Sequence, residues 1–310
     1  MLARILVIAL NTYREAVRAR VLYGLLAFAL ATTAYSLVVG TLSLHQEARV
    51  VADIGAGSTS LYAVLVAIVL GATSLHNEIE RKTVFPVLTR RLHRHEYLVG
   101  KYLGTLATLS AFVAIDSAVV LAILATQSKQ SSALVGGIAL AFGTVLVFLM
   151  VRAKYTRVFV ALPWSYAFFL AMMFVAAPAG GERQLVVTSA VLTLSEVAIV
   201  AAVATFFSSF SSPFLTAIFT LGVFLVGRSA DTLGNLPPRV FGQTLHDVGH
   251  GLAYVFPNLQ LYTPPRPLLL GQISDTPAWP FVGAAATTSI FYATILLTLS
   301  AIVFRKRDFQ

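Results

Sequence analysis

Long apolar runs alternate with short polar segments along nearly the whole chain. A helix needs about 20 apolar residues to cross the hydrocarbon core of a bilayer. Eight runs approach or exceed that length and predict eight spanning helices. The boundaries between the fourth and fifth are the least sharp. The predicted spans are about 20–42, 57–76, 99–126, 132–152, 156–178, 185–208, 212–229 and 279–304.

Composition supports an all-α, polytopic membrane protein with one transmembrane domain over 1–310. Of the 310 residues, 57% are hydrophobic and only 11% are charged. The mean hydropathy is +0.82. Soluble domains are about 25% charged, so a large soluble catalytic domain is excluded. With no cysteine in the chain, structural disulfides, thiolate metal sites and cysteine nucleophiles are excluded as well.

Residues 1–18 predict an amphipathic helix lying in the membrane interface. On a helix, Arg4, Arg14 and Arg18 fall on one side, whereas Leu2, Ile5 and other apolar residues fall on the opposite side. The alternative is that this segment simply extends the first spanning helix into the cytoplasm.

The distribution of basic residues predicts that both termini are cytoplasmic. With the N-terminus inside, sixteen of the 22 lysines and arginines lie on inner segments. Cytoplasmic loops carry such an excess. The formal net charge of +9 is therefore attributed to loops at an anionic leaflet, and no nucleic-acid partner is expected.

Two connecting segments are long. The inner one, 77–98, is far too polar to span. The outer one, 230–278, holds or borders eight of the twelve prolines and is moderately apolar. A disordered linker would be more polar, so short proline-broken helices at or dipping into the outer leaflet are predicted.

The inner segment 77–98 combines both signs of charge directly after a spanning helix. Such a segment suits docking on a soluble partner, because mixed charges specify orientation. An ordinary positive-inside loop is the alternative interpretation. The candidate docking residues are Glu78, Glu80, Arg81, Lys82, Arg90 and Arg91.

Three stretches resemble the permease subunits of ABC type-2 exporters, in the branch of multicopper-enzyme maturation, nitrous-oxide-reductase maturation and gliding-motility permeases. They are NTYREAVRARVLYGLL at 11–26, EIERKTVFPVLTRRLHRHEYLVGKYLG at 78–104 and FFSSFSSPFLTAIFTLGVFLVG at 206–227. The motif Pro257-Asn258-Leu259 and the FRKRD ending at 304–308 are also similar to that branch.

The resemblance implies an interfacial N-terminal helix, six spanning helices, a cytoplasmic coupling helix and re-entrant outer-leaflet helices before the last span. It places the docking residues of 77–98 in that coupling helix. It implies two permease chains, identical or homologous, with separate ATP-binding subunits in a bacterial cytoplasmic membrane. The expected substrate is a lipid, glycan, peptide or maturation factor. The resemblance also allows for an extracytoplasmic accessory protein in the complex.

The chain departs from the family pattern at two places. Residues 132–178 form an extra hairpin, which preserves the sidedness of both ends. The Ser/Thr-Lys-Pro-type break of the family is replaced by Thr89-Arg90-Arg91, while a proline occurs earlier, at Pro86.

No phosphate-binding Gly-x4-Gly-Lys-Ser/Thr loop occurs in the sequence. ATP and Mg are therefore expected in the partner subunit, and this chain is predicted to be a transport subunit and not an enzyme. No cofactor is expected in it.

Asp116 and Glu196 fall inside predicted spans. Carboxylates in a bilayer are costly and are commonly functional. Two roles remain open: hydrogen-bonded structural carboxyls, or groups that line a transport path. The second role supports an alternative function, a proton-coupled secondary transporter using both acids.

His246 and His250 are four residues apart, so a helix would place them on one face beside Asp247. Two imidazoles and a carboxylate could hold Zn or Cu, which would favour a metal-dependent intramembrane enzyme. No third strong ligand is near in sequence, so water-facing histidines and no metal site are expected. No spacing marks a catalytic triad. Gly100 and Gly104 could permit close helix packing.

Overall fold

The computed structural model describes residues 2–43, 46–80, 93–128, 130–153, 157–237, 239, 242–264 and 278–306, with backbone alone at 75–80, 94, 157 and 305–306. Within these residues the chain is all-helical. The helices are α1 (Leu2–Val17), α2 (Arg20–Thr41), α3 (Glu47–Glu80), α4 (Arg94–Gln127), α5 (Ser132–Arg152), α6 (Arg157–Val175), α7 (Gly181–Ser208), α8 (Pro213–Arg228), α9 (Ala230–Gly234), α10 (Gln243–Val255) and α11 (Ala278–Lys306). Two 3₁₀ turns, Ala177–Ala179 and Leu259–Tyr262, precede α7 and follow α10.

Seven of these helices are long and apolar enough to cross a membrane: α2 to α7 and α11. This confirms a multi-pass, all-α membrane protein. The boundaries differ most for α3, which begins at Glu47 and not near residue 57. Its first turns hold the ion pair of Arg49 and Asp53, 3.9 Å apart and four residues apart in sequence. Such a pair supports a helix beyond the apolar run.

The seventh predicted span, 212–229, is too short. Helix α8 has 16 residues, or about 24 Å at the rise of an α-helix, against a hydrocarbon core of about 30 Å. Apolar composition predicted the helix, and a tertiary contact holds its last residue. Arg228, its last residue, is held by the buried Glu196 of α7.

Helix α1 is separate from α2, and is not an extension of the first span. The backbone is extended at Ala19 between them. Ile5, Tyr13 and Ala16 are buried, whereas Leu2 and Leu6 are exposed. The helix therefore buries one apolar stripe in the bundle and keeps apolar residues on its outer surface. Its position in the membrane interface stays a prediction.

Two glycines bring α1 against α4. A Cβ atom at Gly100 would lie 2.7 Å from the Ile8 Cβ, and one at Gly104 would lie 2.6 Å from the Thr12 Cβ and collide with the Ala9 carbonyl oxygen. The predicted role of Gly100 and Gly104 is thus realised, with α1 as the neighbouring helix. Small residues permit this approach in membrane proteins.

We expect Gly104→Val to displace α1 from α4 and to destabilise the fold by about 1–3 kcal/mol, the usual cost of overpacking. Trypsin cleavage after Arg14 and Arg18 in detergent micelles should accelerate. Gly136→Val is the matched control, because nothing lies within 4 Å of that position. Equal cleavage of the two variants would contradict the close packing of α1.

Helices α3, α4 and α7 form the centre of the bundle. Helix α7 is buried along most of its length, and its neighbour α3 exposes few residues between Glu47 and Ser74. Helix α2 packs on α3, α6 on α4, and α11 on α7. The hairpin of α5 and α6 is peripheral, and most residues of α5 are exposed. Their apolar character suits contact with lipid.

Both ends of the described chain lie at one face of the bundle. Arg4 of α1 is 3.8 Å from Glu96 at the start of α4. Phe304, near the end of α11, stacks on Tyr97 of α4 with 6.4 Å between ring centroids. The cytoplasmic location of this face stays a prediction from the charge distribution.

The chain after α8 turns back onto the bundle. Gly227 lies against the Pro257 carbonyl oxygen and Leu259, so no side chain would fit there. Tyr262 is buried and donates a hydrogen bond to the Ala285 carbonyl oxygen, 3.3 Å away. Burial is the main cause that raises the pKa of Tyr262 to about 12, so its hydroxyl stays a donor at physiological pH. The predicted short helices of 230–278 are α9 and α10; residues 265–277 lie outside the described structure.

Candidate intramembrane polar site

Three consecutive hydroxyl residues of α3 connect the two intramembrane carboxyls. Small polar side chains hydrogen-bond across helices in membranes. We call the group the polar cluster; five helices, α2, α3, α4, α7 and α8, contribute to it. Its members are Thr33, Ser58, Thr59, Ser60, Asp116, Glu196 and Arg228.

Asp116 of α4 is fully buried and accepts two hydrogen bonds. The Thr59 hydroxyl donates to its Oδ2 at 2.6 Å, and the Thr33 hydroxyl of α2 donates to its Oδ1 at 3.4 Å. Ser58 lies 3.4 Å from the Thr33 hydroxyl. The carboxyl therefore joins α4 to α3 and α2.

Glu196 of α7 is also fully buried, and its two oxygens have different partners. The Ser60 hydroxyl donates to Oε2 at 2.9 Å. The Arg228 guanidinium donates to Oε1 at 2.5 Å. About 31% of the Arg228 side chain is exposed. Charge-assisted bonds are among the stronger side-chain contacts in proteins, and this one joins the end of α8 to α7.

Close helix packing positions these donors. A Cβ atom at Gly55 would lie 2.6 Å from a methyl carbon of Val120, so only glycine fits there. Thr59 follows Gly55 by one turn of α3, and Asp116 precedes Val120 by one turn of α4. The close contact of the two backbones therefore brings the Thr59 hydroxyl to Asp116.

The polar cluster lies deep in the bundle. Asp116 and Glu196 are more than ten residues from either end of their helices, or more than about 15 Å along the axis. The arrangement satisfies both carboxyls with donors, which buried polar groups require. It cross-links five helices. Among the described contacts, the bonds at Asp116 and those at Glu196 are joined through the α3 backbone and not through a hydrogen bond between Thr59 and Ser60.

The sequence identified Asp116 and Glu196 as intramembrane groups but missed their partners. Arg228 lies at the end of an apolar run. It is one of the six basic residues that the predicted topology places on the outer side. Thr59 and Ser60 sit in a hydrophobic stretch where hydroxyls are common. A carboxylate inside a membrane needs a partner, so the sequence indicates that Asp116 and Glu196 each have one. It does not indicate which residue the partner is.

The coupling residues are only partly within the described structure. Helix α3 continues to Glu80, so the backbone at Glu78 and Glu80 is helical, but their side chains lie outside the described residues. The other four predicted coupling residues lie wholly outside the described structure: Arg81, Lys82, Arg90 and Arg91. Their predicted role stays a prediction.

The start of α4, directly after this segment, is well anchored. The His93 backbone N–H donates to Glu96 Oε2 at 3.2 Å, completing a capping box. Lys101 is buried and its Nζ donates to the Ser74 carbonyl oxygen of α3 at 2.5 Å. These contacts join α3 and α4 where they approach the inner connecting segment.

The histidines of α10 lie on one face, as their spacing predicted. The rings of His246 and His250 are 6.3 Å apart between centroids. His246 Nδ1 contacts the Leu236 carbonyl oxygen at 2.7 Å, and Asp247 accepts a hydrogen bond from Gln243. Within the described part of the chain, no three histidine, cysteine, aspartate or glutamate residues come together to hold a metal ion.

Comparison with known proteins adds no relative: neither a protein-family model nor a curated protein sequence matches the chain. The function is therefore argued from the residues and the geometry.

Proposed function

We propose that the chain is the membrane-spanning subunit of an ATP-driven ABC exporter. It would couple ATP hydrolysis by a separate ATP-binding subunit to export of a lipid, glycan, peptide or maturation factor. Two such chains, identical or homologous, would form the path. The resemblance of residues 11–26 and 78–104 supports this proposal, and the geometry of α3 and α4 supports it independently.

The observation that carries the proposal is the length and linkage of α3 and α4. Each has 34 residues, or about 51 Å, well beyond the hydrocarbon thickness of about 30 Å. Helix α3 continues six residues past Ser74, the end of its apolar span. The charged segment 77–98 connects the two helices at that face.

The polar cluster would transmit motion from this segment. Lys101 and Ser74 join α3 to α4 near the segment, and Thr59 and Asp116 join them in the interior. Through Ser60, α3 is also bonded to Glu196 of α7. A displacement imposed on α3 would therefore reach α4 and α7, because packed elements move as rigid units.

The proposal is tested by identifying what the chain binds. The chain is expressed with its flanking genes, membranes are solubilised in mild detergent, and the associated proteins are identified by mass spectrometry. We expect a stoichiometric partner with a phosphate-binding loop. A chain that purifies alone from membranes containing the products of all the flanking genes would overturn the proposal.

A proton-coupled secondary transporter is the second candidate, because both acids are fully buried and accept hydrogen bonds from adjacent residues of α3. The ion pair of Glu196 with Arg228 favours a structural role instead. We expect Asp116→Asn to retain ATP-dependent activity of the complex, since the amide preserves an acceptor for the Thr59 hydroxyl. Acidification of proteoliposomes, followed with a pH-sensitive dye, measures the alternative. Proton flux carried by the wild type and abolished in this variant would favour the secondary transporter.

A further inference from the structure

A groove opens between three helices at the face of the bundle opposite to α1. Its volume is about 440 Å³. The end of α6, the first turns of α7 and the start of α11 line it. Binding pockets for small ligands usually fall between about 300 and 1,000 Å³, so the groove has room for a phosphorylated headgroup and the first carbons of a chain.

The lining of the groove separates into an apolar part and a polar part. Phe174 and Trp279 line it and are 71% and 54% exposed. Val187 lies one turn of α7 deeper than Arg183 and Gln184, which supply the polar groups. A tryptophan near a helix end is typical of the membrane–water boundary. The groove thus matches an amphiphile with its polar end at the boundary and its chain along the helices.

Arg183 supplies a cation that has no acidic partner among the residues that the structure describes. Among the described residues, none forms a hydrogen bond or ion pair with its side chain, and none of those lining the groove is acidic. The neighbouring Glu182 does not line the groove. A guanidinium binds phosphate through paired N–H donors, so the charge favours an anionic headgroup.

We infer that this groove binds one anionic glycerophospholipid of the surrounding leaflet. Its phosphate would accept hydrogen bonds from Arg183 and Gln184, and one acyl chain would lie along Phe174, Val187 and Trp279. The inference concerns lipid recognition and does not depend on the proposed ATP-driven function.

The test measures lipid binding to the full chain by native mass spectrometry in detergent, with added phosphatidylglycerol or phosphatidylcholine of equal chain length. We expect wild type to bind one phosphatidylglycerol more tightly than phosphatidylcholine. Arg183→Gln should weaken phosphatidylglycerol binding by about tenfold, as expected for loss of one charge-assisted contact. Arg239→Gln removes the same charge from an exposed position between α9 and α10 and should leave binding unchanged.

A second variant protects the test against misfolding of the first. Gln184→Trp fills the groove without changing its charge, and should also reduce the affinity. Equal affinity of wild type for the two lipids would overturn the inference. So would equal binding by Arg183→Gln and Arg239→Gln, unchanged binding by Gln184→Trp, or displacement of the lipid by millimolar glycerol 3-phosphate.

Discussion

Replacing Arg228 with leucine is expected to lower the free energy of unfolding by about 3 kcal/mol, within the range for breaking a buried ion pair. The variant leaves Glu196 fully buried with Ser60 as its remaining donor. An unpaired buried carboxylate costs more than the lost contact itself, because its desolvation is no longer offset. Unfolding in mixed dodecyl maltoside and SDS micelles, followed by circular dichroism, measures the change.

A double-mutant cycle separates this effect from general damage to α8. Arg228→Leu combined with Glu196→Leu should recover most of the lost stability, because neither charge then remains buried. Arg239→Leu, at an exposed position, is the control and should stay within about 0.5 kcal/mol of wild type. Strictly additive single effects at Arg228 and Glu196 would show that the ion pair does not stabilise the fold.

Thr59→Val is expected to lower the free energy of unfolding by about 1–3 kcal/mol. Thr59 provides the shorter of the two hydrogen bonds to Asp116, and Thr33 alone, at 3.4 Å, would remain. The stability is lost because Asp116 Oδ2 becomes a buried acceptor without a hydrogen-bond donor, and its desolvation is then not offset. The same micellar unfolding experiment measures it.

Substitution of Asp116 shows whether the loss of stability in Thr59→Val comes from the unpaired carboxyl or from the lost hydroxyl. Asp116→Leu alone should be milder than Thr59→Val, because the Thr59 hydroxyl can donate to the Gly55 carbonyl oxygen, 2.9 Å away. Thr59→Val with Asp116→Leu should recover part of the stability. Thr144→Val removes an exposed hydroxyl that bonds only within its own helix among the described contacts, and serves as the control. If it costs as much as Thr59→Val, the polar cluster has no special role.

The helices were predictable because burial in lipid requires long apolar runs. Seven of the eight predicted spans are long enough to cross a bilayer. Helix α3 begins before its apolar run, in turns where Arg49 and Asp53 form an i, i+4 pair; hydropathy counts both residues as unfavourable. Helix α8 ends at Arg228, which bonds to a residue 32 positions away in sequence. Hydropathy does not show such a contact.

The candidate site was predictable only as isolated acids. The cost of a carboxylate in a membrane identified Asp116 and Glu196 from composition alone. Their partners depend on which helices touch, and that depends on small residues such as Gly55 fitting against a particular neighbour. One sequence contains many glycines and hydroxyls, and the pairing of helices selects among them.

The ATP hydrolysis rate of the complex purified with its partner tests the central claim most directly. Charge reversal at both Glu78 and Glu80 to lysine is predicted to lower vanadate-sensitive hydrolysis by about tenfold or to release the partner, because docking charges set orientation and binding. Glu47→Lys changes an exposed residue at the opposite end of the same helix. The complex that contains this variant should hydrolyse ATP at the wild-type rate. Absence of any ATP-hydrolysing partner, or equal rates and equal partner content in both variants, would contradict the account.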